Sequence, residues 1–65
     1  MVRTKLKVLR VQEGKTQEEL AELLGVSTVT YCLIERGQRR GSPDFWKRVQ
    51  EHFNIKDADM WAIMN

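Results

Sequence analysis

Residues 16–37 read TQEELAELLGVSTVTYCLIERG, and only Gly25 and Val26 separate two helix-forming stretches. Thr16 and Glu19 have the T-x-x-E spacing of a capping box, in which hydroxyl and carboxylate each satisfy a backbone N–H left open at a helix start. The first stretch therefore begins at Thr16. Leu20, Leu23 and Leu24 give it an apolar edge, and Ala21 beside that edge is small enough to let another helix come close. Gly25 suits the left-handed position that closes a helix, and Ser27 is a good N-cap for a second helix running to about Glu35. With so short a connection the two helices cannot lie antiparallel along their lengths. They must cross steeply, and this corner restricts every later choice.

The rest of the chain is helical as well. Val2, Leu6, Leu9 and the stem of Arg10 recur on one side of a first helix, with Arg3, Lys5 and Lys7 elsewhere and Gly14 at its end; Val8 and Val11 do not fit that stripe. Gly37 breaks the chain into QRRG, and Ser42-Pro43 is the pattern of an N-cap followed by proline at the first helical position. Phe45, Trp46, Val49 and Phe53 mark a fourth helix. After Asn54, Asp57 is the expected cap of a last short helix with Met60, Trp61, Ile63 and Met64. No strand pattern, repeat or linker interrupts the series. The expectation is an all-α fold, one compact five-helix bundle over residues 1–65, with the steep corner forming a helix-turn-helix.

Size and charge narrow the function. A 65-residue chain buries only about 60% of its unfolded surface, which leaves no room for a cleft between domains. Basic side chains outnumber acidic ones 11 to 9, but unevenly: residues 1–48 hold 10 against 6, a net +4, and residues 49–65 hold 1 against 3, a net −2. A basic body suits a polyanionic partner. The single Cys32 excludes an internal disulfide and a thiolate zinc site, and it has no nearby His to activate it. His52 has no second ligand at metal-binding spacing and reads as an ordinary helix residue. There is no phosphate-cradling glycine loop and no paired-carboxylate constellation, so neither an enzyme nor a cofactor is expected. MVRTKLKVL has too short an apolar run for a signal peptide or membrane span, and a reducing cytoplasmic setting is the default expectation.

The stretch LRVQEGKTQEELAELLGVSTVTYCLIERGQRR resembles the Cro and phage-repressor type of helix-turn-helix domain, an XRE-like family, over about residues 6–55. Leu9-Arg10, Thr16-Gln17, Leu20-Ala21, Gly25-Val26-Ser27, Ile34-Glu35 and Gly37 match its pattern in type and spacing. Tyr31 stands where the family usually has Ile or Val, Val29 and Leu33 where it often has polar residues, and Pro43 slightly later than its usual proline. The resemblance implies a λ-repressor-like bundle with the helix-turn-helix at about 16–36 and the recognition helix at about 27–35. It also implies a salt bridge from Arg10 to Glu35, tying the first helix to the third. For the DNA backbone it implies contacts from Thr16 and Gln17 at the start of the second helix and from Arg36, Arg39 and Arg40 after the third.

Helical geometry sorts the third helix. At 100° per residue, 30, 31, 34 and 35 share the side that faces the core, and Thr28, Val29, Cys32 and Leu33 share the other, with Ser27 at the helix start. In a major groove this outward face has no side chain for bidentate reading of guanine or adenine. It offers methyl groups for thymine and single hydrogen bonds from Ser27, Thr28 or Thr30. Specificity would lean on thymine contacts, DNA shape and dimer spacing. The function expected is a regulator of transcription occupying a double-stranded DNA operator, from a phage, mobile element or bacterium. The alternative is a phage modulator whose Val29, Cys32 and Leu33 grip another regulator, a protein partner in place of DNA. Trp46, Met60 and Trp61 are expected in the core, although so many apolar residues near the C-terminus also suit a homodimer through that end.

Overall fold

The computed structural model describes residues 2–65, as five helices and no strand: α1 (Thr4–Gln12), α2 (Gln17–Leu23), α3 (Thr28–Glu35), α4 (Pro43–Phe53) and α5 (Asp57–Met64). Three of the helix starts follow local side-chain chemistry. The Thr16 hydroxyl accepts from the Glu19 N–H at 3.1 Å while the Glu19 carboxylate accepts from the Thr16 N–H at 2.9 Å, completing the capping box. Ser27 and Ser42 cap α3 and α4, and Pro43 occupies the first position of α4. The last helix departs from expectation. Its N-cap is Lys56, without a side-chain bond, and Asp57 is its first residue, accepting a hydrogen bond from the Gln50 amide across the α4–α5 corner. Asn54, left-handed at φ 54°, makes that corner.

The core is one cluster of Leu6, Leu20, Ala21, Leu24, Tyr31, Ile34, Phe45, Trp46, Val49, Met60 and Ile63, with Leu9, Val26, Phe53 and Ile55 packed at its edge. Each helix contributes at least one residue to it. Truncating Leu20 or Ile34 to alanine would cost about 2–5 kcal/mol through lost burial and the cavity left behind. Phe45 and Trp46 meet edge to face with centroids 5.0 Å apart, and the Trp46 indole N–H donates to the Arg40 carbonyl at 2.7 Å.

Four apolar assignments change. Val2 precedes α1 and is exposed, so the core side of α1 rests on Leu6 and the half-buried Leu9. Leu23 is exposed because α2 needs only Leu20, Ala21 and Leu24 to cover the corner. Trp61 is 74% exposed and Met64 is also outside the core, since α5 turns Met60 and Ile63 inward and the helical period carries residue 61 to the opposite side.

Glycine is required at two of the turns. Gly25 has φ +72°, and a Cβ there would lie 2.0 Å from the Arg48 Nη1. Arg48 crosses this turn to donate to the Leu24 carbonyl, which bonds the turn of the corner to α4. Gly41 has φ +78°, and a Cβ would come within 2.9 Å of the Trp46 indole nitrogen. Any side chain at 41 would push the loop after α3 off Trp46.

Candidate nucleic-acid interface

α3 has an inner face that is chemically complete. Glu35 is 4% exposed, and its carboxylate receives four hydrogen bonds. Arg10 Nε donates to Oε2 at 3.0 Å and Nη2 to Oε1 at 3.3 Å, a two-point contact from α1. The Tyr31 hydroxyl donates to Oε2 at 2.6 Å from one turn earlier on α3, and the Gln17 amide donates to Oε1 at 3.2 Å from the start of α2. Arg10 also donates to the Lys15 carbonyl at 2.9 Å, fixing the loop between α1 and α2. Burial pushes the Glu35 carboxyl upward, but the bonds from Arg10, Tyr31 and Gln17 outweigh it and hold the group below the usual carboxylate range. The same bonds, with Glu35 first, raise Arg10, while burial and then Glu35 push the Tyr31 hydroxyl above the usual phenol range. Three helices are thus locked at one ionised carboxylate, and this fixes the angle at which α3 is presented.

The outer face is open. Thr28 and Val29 are exposed, Val29 at 70%. Cys32 and Leu33, expected outside, are half-buried, and the Gln38 and Arg39 N–H groups both bond the Leu33 carbonyl where the following loop closes on the end of α3. The Ser27 hydroxyl is occupied within the helix start, accepting from the Thr30 N–H at 3.1 Å and donating to the Thr30 hydroxyl at 2.9 Å. Only the first turn of α3 is therefore fully available to a partner.

Three arginines follow α3, and one of them returns to this turn. Arg36, Arg39 and Arg40 are all exposed, and among the described residues no carboxylate forms an ion pair with any of them. Arg39 Nη1 reaches the Thr30 hydroxyl at 3.5 Å, placing a free cation beside the open turn. Thr16 is exposed at the start of α2, whereas Gln17 is half-buried with one amide N–H committed to Glu35.

A family model described as a helix-turn-helix domain matches residues 2–61. The chain belongs to this helix-turn-helix family. It is 32% identical over 62 residues to an uncharacterized HTH-type transcriptional regulator of Archaeoglobus fulgidus, covering 95% of this chain and 89% of the relative. A second regulator so described, from Methanocaldococcus jannaschii, is 35% identical over 60 residues, covering 92% and 91%. No solved structure matches significantly.

In this helix-turn-helix, α2 and α3 are the paired helices and Gly25-Val26 the turn. The expected bridge between Arg10 and Glu35 is present at 3.0 Å with both side chains largely buried. Two of its partners escaped sequence reasoning. Tyr31 looked like an apolar replacement, but the i,i+4 spacing to Glu35 was the available signal for its hydroxyl. Gln17 carried no such signal, since its contact spans 18 residues. Arg3, placed off the core stripe, proves to be a hub: its guanidinium donates to the Met64, Ile34 and Arg39 carbonyls and lies 5.3 Å from the Trp46 ring centroid. No helix of the described residues is long and apolar enough to cross a membrane.

Proposed function

We propose that this helix-turn-helix protein is a DNA-binding transcriptional regulator of Cro/repressor type, acting in the cytoplasm by occupying an operator and without chemistry of its own. The observation that carries this reading is at α3: an open first turn bearing Thr28 and Val29, with Arg39 reaching Thr30 beside it and the exposed Arg36 and Arg40 in the segment that follows the helix, all three without ion pairs among the described residues. The turn enters the major groove, where the Val29 and Thr28 methyls meet thymine and the Thr28 hydroxyl gives a single hydrogen bond. Cys32 and Leu33 then lie at the side of the groove as packing, and Ser27 holds the helix start.

Arg36, Arg39, Arg40, Thr16 and the free amide N–H of Gln17 are the proposed backbone contacts, setting affinity and salt dependence without carrying sequence information. Gln17 has a double task in this scheme, since the amide that reaches a phosphate also bonds the carboxylate that orients α3. The relatives described as transcriptional regulators support the same role. A homodimer through α5 would cover Trp61 and Met64, which flank an open groove of about 500 Å³ with Arg3, Arg40 and Trp46.

The test is a titration of the purified protein with random-sequence duplex and with promoter DNA next to its gene. Binding that weakens on the order of a hundredfold between about 50 and 200 mM salt, and selectively favours the promoter, supports the reading. Salt-independent capture of another regulator through Val29, with no DNA binding, would overturn it.

A further inference from the structure

We infer that Arg3 is a positioning residue for the basic loop: from outside the helix-turn-helix, one guanidinium caps the C-termini of α3 and α5 and holds the Arg39 backbone where its side chain meets DNA. The inference rests on the proposed DNA-binding role and assigns that site a residue from the opposite end of the sequence.

The carbonyl ends of α3 and α5 need a cation that neither helix supplies. Neither has a basic residue in its last turn, and among the described residues the side chain of Arg36, the exposed C-cap of α3, bonds none of its carbonyls, so a cation bonded to these carbonyls must come from elsewhere. Arg3 provides it for both. Its Nε donates to the Met64 carbonyl at 2.7 Å, Nη1 donates to the Ile34 carbonyl, and its own backbone N–H donates to the Glu35 carbonyl at 2.8 Å. The same Nη1 donates to the Arg39 carbonyl at 2.7 Å.

That last bond completes a frame around residues 38–40. The Gln38 and Arg39 N–H groups are held by the Leu33 carbonyl at 2.9 and 3.2 Å, the Arg39 carbonyl by Arg3, and the Arg40 carbonyl by the Trp46 indole against which Arg3 lies. The backbone between two DNA-facing arginines is therefore fixed, while their side chains stay exposed. Without Arg3 the Arg39 carbonyl loses its partner, and the loop keeps only the bonds to α3 and Trp46. A loop free to wander loses entropy on binding, which lowers affinity even though every arginine that touches phosphate is still present.

The competing role for Arg3 is a direct phosphate contact, and the two differ in how they combine with Arg39. Duplex DNA is titrated with the full protein and with Arg3→Ala, Arg39→Ala and the double variant, each verified as folded by circular dichroism. The expectation is about tenfold weaker binding for Arg3→Ala, and an Arg39→Ala effect that shrinks from several-fold in the native background to under about twofold in the Arg3→Ala background. Additive losses would overturn the inference, because independent phosphate contacts add.

Amide exchange supplies a readout without DNA. The Gln38 and Arg39 amides should exchange about tenfold faster in Arg3→Ala while those of Leu24 and Tyr31 keep their protection. Should Arg3→Ala fail to fold, Arg3→Lys takes its place, since a single ammonium keeps the charge but cannot span the three carbonyls. Unchanged loop exchange in a folded variant overturns the hold of Arg3 on the loop. Faster loop exchange in a protein whose native form binds no DNA overturns the regulator reading and, with it, the DNA role of Arg3.

Discussion

The two faces of α3 obey different rules. The inner face presents Tyr31, Ile34 and Glu35, each below 5% exposed, and every polar atom on it has a partner from α1, α2 or α3 itself. The outer face presents Thr28 and Val29 to solvent with nothing packed over Val29. Eight residues thus carry a rigid mount on one side and a free surface on the other. An apolar side chain left outside contributes nothing to folding, and a charged one buried inside contributes only if fully satisfied. The inner face is therefore legible as stability, and the outer one is the face of the proposed recognition.

The sharpest way to break this contrast is to remove the mount. Arg10→Ala leaves Glu35 buried beside Tyr31 and Gln17 without its counter-ion, which should cost about 3–5 kcal/mol. For a domain this small that is most of its stability, so the thermal melt should fall steeply or vanish. An unchanged melting temperature would mean that Glu35 is not the point on which the helices are locked.

Tyr31→Phe is gentler, deleting one charge-assisted hydrogen bond while keeping the ring in the core; about 1.5–3 kcal/mol in urea unfolding is expected. Acid should reveal the same network. Because Glu35 is held below the usual carboxylate range when folded, its contribution is complete above the ordinary glutamate value of about 4.3 and is lost as pH falls through the lower folded value. The urea midpoint should stay level from neutrality to about pH 5 and then drop. Glu35→Gln should flatten part of that drop; an identical acid profile would show that other carboxylates govern it.

On the outer face the order reverses, with small effects on stability and clear ones on binding. Val29→Ala should shift unfolding by less than about 0.5 kcal/mol, as surface substitutions do, yet reduce preference for thymine-containing sites. Loss of stability without loss of selectivity would place Val29 in the mount after all. Arg39→Ala is the smallest expected change to the protein itself: no shift in melting, uniformly weaker DNA binding, and a salt slope lower by about one.

Much of this was written locally. The capping box at Thr16 and Glu19, the caps at Ser27 and Ser42, and the turn at Gly25 depend on residues within a few positions of one another, and all appear as expected. The core side of α3 followed from period alone. Errors came where several residues competed for limited interior. Val2, Leu23 and Trp61 are as apolar as Leu6, Leu20 and Met60, and only the packing of five helices decides which of them are covered. The helical period alone put Cys32 and Leu33 outside, and their half-burial is a matter of packing that the period does not encode.

From its sequence alone, the chain had to be a small helical domain with a steep corner between residues 16 and 36, because capping, period and a two-residue turn are short-range effects that need no distant partner. Only the tertiary structure decided that Arg3 and Gln17 tie the helices together through their side chains. Their bonds join positions from 18 to 61 residues apart, at carbonyls and a carboxylate that come together once the helices have packed. A polar side chain's role is set by what lies within about 3 Å of it, and sequence order does not encode that distance.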